Sequence, residues 1–135
     1  MMFERLTLMK ELLSSEGSIY VHIDWRVDAY LRSIMDEVFD RDNFQNEIIW
    51  AYKTQGATKR RYSRKHDTIL FFTKSPNWKF NFQTERSYMQ HTYGFDKEDF
   101  KVDEEGRQYR DAIVRDVWEI SAIQSATYEN LGFET

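Results

Sequence analysis

The chain has 135 residues, a formal net charge of −4 and 41% hydrophobic residues, which suffices for one domain, or a large piece of one, with an ordinary core. It contains no cysteine, which excludes disulfides, zinc–thiolate sites and cysteine nucleophiles. No apolar run approaches the roughly 20 residues that span a bilayer, and charges interrupt the apolar N-terminus, so we expect a cytoplasmic protein without membrane association.

The first half of the sequence predicts alternating helices and strands. Residues 2–14 carry apolar side chains at helical spacing, and "SIYVHI" (residues 18–23) is typical of a strand covered on both sides, with His22 as its polar exception. Asp24 is expected to cap a second helix, whose apolar residues follow the i, i+3, i+4, i+7 pattern as far as Phe39. The strands "EIIWAYK" and "DTILFFTK" then follow without an intervening helical pattern, which favours an antiparallel pair joined by a long loop.

The order helix–strand–helix–strand–strand predicts an α/β fold with an open sheet and an antiparallel edge pair. After Pro76 the pattern becomes irregular. We expect a short strand in "NWKFNFQ" (residues 77–83), a hairpin that turns at Glu105–Gly106, and a last strand in "DVWEI" (residues 116–120).

The loop between the paired strands concentrates positive charge in an otherwise acidic chain. Such cations neutralise phosphates of a nucleic-acid backbone, and interleaved aromatic side chains can stack on an exposed base. The alternative is a solvated surface loop. The candidate DNA-binding residues are Lys53, Lys59, Arg60, Arg61, Arg64, Lys65 and His66.

Other candidate sites are weaker. His22 and Asp24 end the first strand, where ligands bind in open α/β sheets, but a helix cap and a hydrogen-bonded, partly buried histidine explain them better than a catalytic pair does. His66 and Asp67 allow the same two interpretations, and no spacing typical of a metal site is present. The five glycines stand apart, so the chain contains no phosphate-binding glycine loop.

Four strings in one order carry a resemblance to a known family. They are "ERLTLMKELLSSEGSIYVHIDWRVDAYLRSIMDEVF", "NFQNEIIWAYK", "RKHDTILFFTKS" and "RDVWEISAIQSATYENLGFET". Together they resemble β-class amino-group DNA methyltransferases, which modify adenine N6 or cytosine N4, and especially the modification subunits of Type III restriction–modification systems. The resemblance implies a partial Rossmann-like methyltransferase sheet in residues 1–75. It also implies a variable insertion with a possible target-recognition role in 76–114, and a return segment toward the cofactor-binding half in 115–135.

The resemblance further implies methyl transfer from S-adenosylmethionine to an exocyclic amine of a base extruded from double-stranded DNA. The family's Asp-Pro-Pro-Tyr motif and its Asp-Pro-Phe-x-Gly-x-Gly cofactor loop do not occur in this sequence. We therefore expect the middle of a methyltransferase that is inactive alone, with no catalytic, cofactor-binding or metal-binding residues of its own. Its partners would be DNA and possibly the missing half, a second copy or a restriction subunit.

Two other functions remain open at this point. The chain could be a stand-alone DNA-binding or complementing module that pairs with a methyltransferase, or an unrelated enzyme that uses His22, Asp24, His66 and Asp67. The truncated sheet also leads us to expect that "SIYVHI" has an unpaired edge that favours association.

Overall fold

The computed structural model describes residues 1–53, 58–88 and 100–121. Helices and strands alternate in the first half of the chain, and short strands follow in the second. The elements are α1 (Met2–Leu12), β1 (Ser18–Ile23), α2 (Asp28–Phe39), a 3-10 turn (Arg41–Asn43), β2 (Phe44–Ala51), β3 (His66–Thr73), β4 (Thr84–Ser87), β5 (Lys101–Val102), β6 (Gln108–Ile113) and β7 (Val117–Glu119).

The chain divides into two units. The first comprises residues 1–79 and 116–135, and the second comprises residues 80–115. In the first unit, a four-stranded sheet has the order β1-β3-β2-β7. The predicted antiparallel pairing of β2 with β3 is confirmed, and β3 also pairs antiparallel with β1, whereas β7 runs parallel to β2. The α/β fold class is therefore confirmed.

Both helices contribute to one core against one face of this sheet. Leu6 from α1 and Met35 and Phe39 from α2 pack in a cluster with Leu70 and Phe72 of β3. Because side chains alternate along a strand, the next residues of β3 lie on the opposite face. There the ring of Phe71 stacks on Tyr20, with centroids 4.3 Å apart, and meets the edge of Trp78.

β1 is less covered than its apolar sequence predicts. Tyr20 and His22 are exposed on the face away from the helices, and Ile23 is the one residue of the strand that is buried. Within the described residues β1 pairs with β3 alone, so its other edge carries unpaired backbone groups. The strand contains no charged residue that would discourage pairing with another strand.

Asp24 does not cap α2, contrary to the prediction. The helix begins at Asp28 after a turn, and its N-cap residue Val27 makes no side-chain capping bond. The Asp24 carboxylate instead accepts hydrogen bonds from the backbone and guanidinium of Arg26. Arg26, two residues away, thus occupies the carboxylate oxygens that would otherwise accept hydrogen bonds from the amides of a helix N-terminus.

The second unit contains β4, β6 and β5 in that order, all antiparallel to their neighbours. The predicted hairpin is confirmed: β5 and β6 are joined by a turn in which Gly106 adopts φ +78°, a conformation that favours glycine. The predicted strand over residues 77–83 is wrong, because that stretch is irregular and the strand begins at Thr84. The last predicted strand is confirmed as β7 in the first unit.

Candidate nucleic-acid interface

The cations predicted to bind DNA follow the carboxyl end of β2 and precede β3. The strands hold this loop closed at its base, because Ala51 is paired with His66 and the Tyr52 amide donates to the Lys65 carbonyl at 3.0 Å. We call the described loop residues, Lys53 and 58–65, the basic segment. Its backbone therefore starts and ends at one fixed place on the sheet.

Most cations of the basic segment point into solvent. Lys53, Lys59, Arg60 and Arg61 are exposed, and in the described part of the chain none of their side chains forms an ion pair or a hydrogen bond; Arg60 donates only its backbone amide, to the Thr58 hydroxyl. Lys65 is partly buried and engaged by neighbouring groups. The exposed side chains thus keep their hydrogen-bond donors available for an anionic partner.

Arg64 differs from the other cations because an aromatic ring holds it. Its guanidinium carbon lies 3.5 Å from the ring centroid of Trp25, in the turn after β1. Such a cation–π contact contributes roughly 0.5–1 kcal/mol at an exposed site. This contact holds Arg64 of the basic segment against the turn between β1 and α2.

The electrostatics of that turn reinforce the contact. Hydrogen bonds from the side chain and backbone of Arg26, with a smaller contribution from the charge of Arg64, lower the pKa of Asp24 to about 2. Asp24 is therefore an anion at neutral pH and attracts the Arg64 guanidinium towards the turn.

Three strands bring a second polar group together on the face away from the helices. The Asp67 carboxylate lies 3.2 Å from His22 Nε2, and its other oxygen accepts a hydrogen bond from the Tyr52 hydroxyl at 3.2 Å. Burial, followed by the charge of Asp67, raises the pKa of Tyr52, which keeps its hydroxyl protonated as a donor. The Trp50 ring packs against both His22 and Tyr52, with centroids 5.3 Å and 5.7 Å away.

A shallow pocket of about 290 Å³ opens at the carboxyl ends of the parallel strands β2 and β7. Two of the predicted DNA-binding cations line it beside an acidic residue. The lining residues are Ala51, Tyr52, Lys53, Lys65, Glu119, Ile120 and Ser121. Ligands of open α/β sheets bind at this end of the strands.

The structure pairs the histidines and aspartates differently from their order in the sequence. His22 meets Asp67 across the sheet, whereas the sequence suggested His22 with Asp24 and His66 with Asp67. His66 and Asp67 are consecutive in β3, so their side chains lie on opposite faces. Trp25 was not among the predicted site residues, and no local pattern marks it as the partner of Arg64.

The second unit carries its own cluster of tyrosines and arginines. The rings of Tyr88 and Tyr109 are 5.8 Å apart, Arg107 lies over Tyr88, and Arg86 lies over Tyr109. The Arg107 guanidinium also pairs with Asp103 at 2.9 Å and closes the hairpin turn. These contacts bind the arginines within the unit.

The part of the chain that the structure describes contains no cluster of histidine and acidic side chains able to hold a metal ion. Its helices are also too short or too polar to cross a bilayer.

Comparison with known proteins places the chain in a family. The family model described as DNA methylase matches residues 1–135. The Type II methyltransferase M.EcaI of Enterobacter cloacae is 35% identical over 81 residues, which are 59% of this chain and 18% of that protein. The Type II methyltransferase M.HpaI of Haemophilus parainfluenzae is 36% identical over 83 residues, which are 61% of this chain and 26% of that protein.

A Type III relative matches a shorter stretch. The probable Type III restriction-modification enzyme HindVI Mod subunit of Haemophilus influenzae is 42% identical over 57 residues, 42% of this chain and 8% of that protein. The chain thus spans about a quarter or less of the length of these relatives. Since the family model covers every residue, the chain belongs to the DNA methylase family of N6 and N4 methyltransferases.

Proposed function

We propose that this chain supplies part of the DNA-facing catalytic domain of a methyltransferase that transfers a methyl group from S-adenosylmethionine to an exocyclic amine of adenine or cytosine. Restriction–modification systems, which the name of the HindVI relative gives, are the proposed context. Such an enzyme acts in the cytoplasm on double-stranded DNA, and a restriction subunit is a proposed partner.

The observation that carries the proposal is the basic segment. Four of its exposed cations, Lys53, Lys59, Arg60 and Arg61, have no acidic partner among the described residues, although acidic side chains outnumber basic ones in the chain as a whole. Cations that are not neutralised internally gain most from phosphates, because each contact releases a condensed counterion. The basic segment would hold the DNA backbone without reading its sequence, since phosphate contacts position a protein on DNA.

The residues present do not fit a complete cofactor site. The glycines lie at positions 17, 56, 94, 106 and 132, so no two of them can form a Gly-x-Gly loop. We therefore assign the chain the binding and orientation of DNA, and we expect no methyl transfer by the 135-residue protein alone. Transfer of a labelled methyl group to DNA by the purified chain would contradict this expectation.

The insertion is a separate element of the proposal. The variable insertion over residues 76–114, most of which is the second unit, is proposed to take part in target recognition. Because two of its arginines, Arg86 and Arg107, are already engaged by Tyr109, Tyr88 and Asp103, it would add fewer backbone contacts than the basic segment.

The proposal is tested with two charge-matched double variants. Arg60→Ala/Arg61→Ala removes two free cations of the basic segment. Arg5→Ala/Arg41→Ala removes two exposed arginines from α1 and from the turn before β2, at the other end of that strand. Fluorescence anisotropy with labelled duplexes of several sequences, at a series of salt concentrations, gives the affinity and its salt dependence.

We expect the first variant to weaken binding to every duplex and to reduce the slope of log K against log salt by roughly one unit per lost contact. The control variant should change the slope much less. Equal losses of affinity in the two variants would mean that net charge alone drives binding. A wild-type affinity in the first variant would support the alternative that the basic segment is a solvated surface loop.

A further inference from the structure

Tyr62, within the basic segment, is the most exposed aromatic residue in the described part of the chain, at 98%. Among the described residues its side chain has no hydrogen bond, ion pair or ring contact with another residue. A single exposed ring is ordinary on a protein surface. Tyr62 differs from the other exposed rings because cations without acidic partners stand beside it in the sequence.

The charges around Tyr62 are all of one sign. Arg60, Arg61 and Arg64 stand within two positions of it, and no acidic residue occurs in the sequence from residue 53 to residue 66. Phosphates of a DNA backbone attract such cations, because each contact releases a condensed counterion. When the arginines contact phosphates, the Tyr62 ring lies against the duplex, where the faces of unstacked bases are the flat apolar surfaces open to it.

The backbone around Tyr62 is held at more than one point. The sheet closes the base of the loop by the hydrogen bond from the Tyr52 amide to the Lys65 carbonyl, at 3.0 Å. Two positions after Tyr62, the Arg64 guanidinium lies 3.5 Å from the ring centroid of Trp25. These contacts limit the positions that the Tyr62 ring can reach, so less conformational entropy is lost when the ring is bound.

A paired duplex has no free base face for such a ring, but a duplex with one base extruded does. Extrusion leaves a gap between the two neighbouring bases, and the lost stacking is part of its energetic cost. Side chains that enter a base stack replace some of that stacking with their own surface. Removal of an aromatic side chain that stacks on a base lowers affinity by roughly 5- to 150-fold.

We propose that the ring of Tyr62 enters the duplex at the position that the extruded base leaves and stacks on the neighbouring bases, while the arginines beside it contact phosphates. This inference rests on the proposed function, because methylation of an exocyclic amine requires an extruded base. Tyr62 is then a positioning residue that keeps the duplex open and does not touch the base that is methylated. The ring of Tyr62 carries this role, and its hydroxyl is dispensable.

Two duplexes of equal length and charge test the inference with the 135-residue chain. One is fully paired, and the other has a central abasic site, which provides the gap without extrusion. The wild type should bind the abasic duplex at least about fivefold more tightly. Tyr62→Ala should abolish this preference and leave the salt dependence unchanged, because no cation is lost. Tyr62→Phe should keep the preference, as should the matched control Tyr30→Ala, which removes a ring that is 73% exposed on α2.

A fluorescent base beside the gap separates stacking from easier bending of the abasic duplex. 2-Aminopurine at that position should lose fluorescence when the wild type or Tyr62→Phe binds, and should keep it when Tyr62→Ala binds.

Equal affinity of the wild type for the two duplexes, or a preference that Tyr62→Ala retains, would overturn the inference. Neither result changes how duplex binding depends on Arg60 and Arg61, so the proposed function is decided separately. Conversely, a preference that needs Tyr62, in a chain whose affinity does not depend on those arginines, would support stacking by Tyr62 and refute the proposed role of the basic segment.

Discussion

The contact between Trp25 and Arg64 predicts how the basic segment is held for binding. Trp25→Ala removes the aromatic face 3.5 Å from the Arg64 guanidinium but leaves every cation of the segment in place. Since Trp25 is 38% exposed, the contact contributes roughly 0.5–1 kcal/mol. This corresponds to about a two- to fivefold change in the ratio of chains whose segment is held against the turn to chains whose segment is released. We expect duplex affinity to fall by no more than this factor.

The salt dependence separates positioning from direct contact. Trp25→Ala should leave the slope of log K against log salt unchanged, because no phosphate contact is removed, whereas Arg64→Ala should reduce it by about one unit if the stacked guanidinium also reaches a phosphate. Trp25→Phe keeps an aromatic face and should restore most of the affinity. Tyr30→Ala, which removes an exposed ring on α2, is the matched control.

Anisotropy titrations of a labelled duplex at four salt concentrations measure both quantities. A Trp25→Ala protein with wild-type affinity would show that the contact does not position the segment. A reduced slope in that variant would also refute the reasoning, because the charge of the segment is unchanged.

Three further predictions concern the core, the turn and an exposed ring. Phe72→Ala, at a fully buried position of β3, should lower the free energy of unfolding by about 3–5 kcal/mol in urea titrations, and a loss below 1 kcal/mol would contradict the assigned core. The lowered pKa of Asp24 makes its bonds to Arg26 stabilising above the unfolded pKa of about 3.9. That contribution should therefore shrink as the pH falls from about 3.9 through about 2, and an Asp24→Asn effect on stability that keeps its full size at pH 2 would refute it. Tyr62 is 98% exposed among arginines of the basic segment, so Tyr62→Ala should weaken binding to single-stranded DNA by roughly 1–3 kcal/mol if one base stacks there. Tyr62→Phe should bind like the wild type, and equal losses in both variants would argue against stacking.

The elements with strong local patterns could be predicted from the sequence. The apolar spacing of α2 predicts a buried face, and Leu31, Met35, Val38 and Phe39 are indeed buried. The turn at Gly106 is equally local, because a left-handed residue between two short extended stretches needs a glycine. In both cases the residues that decide the structure are neighbours in the sequence.

The candidate site could be predicted only in part. The charge of the basic segment is visible in the sequence, but the pairing of His22 with Asp67 joins residues 45 positions apart and depends on β3 lying beside β1. No local pattern specifies that strand order. The prediction that Asp24 caps α2 was wrong for a related reason. A helix cap and a hydrogen bond from Arg26 use the same carboxylate, and the sequence does not indicate which of the two forms.

The position of β3 between β1 and β2 has a consequence for how the protein is made. The two earlier strands are separated by β3 and share no ladder of their own, so they acquire a sheet partner in this unit only when residues 66–73 leave the ribosome. A chain that stalls or is cleaved within the basic segment leaves both strands without that partner, and exposed apolar strand edges promote aggregation. The ribosome must therefore synthesise the whole basic segment, proposed to hold DNA, and then β3 before β1 and β2 can pair within this sheet.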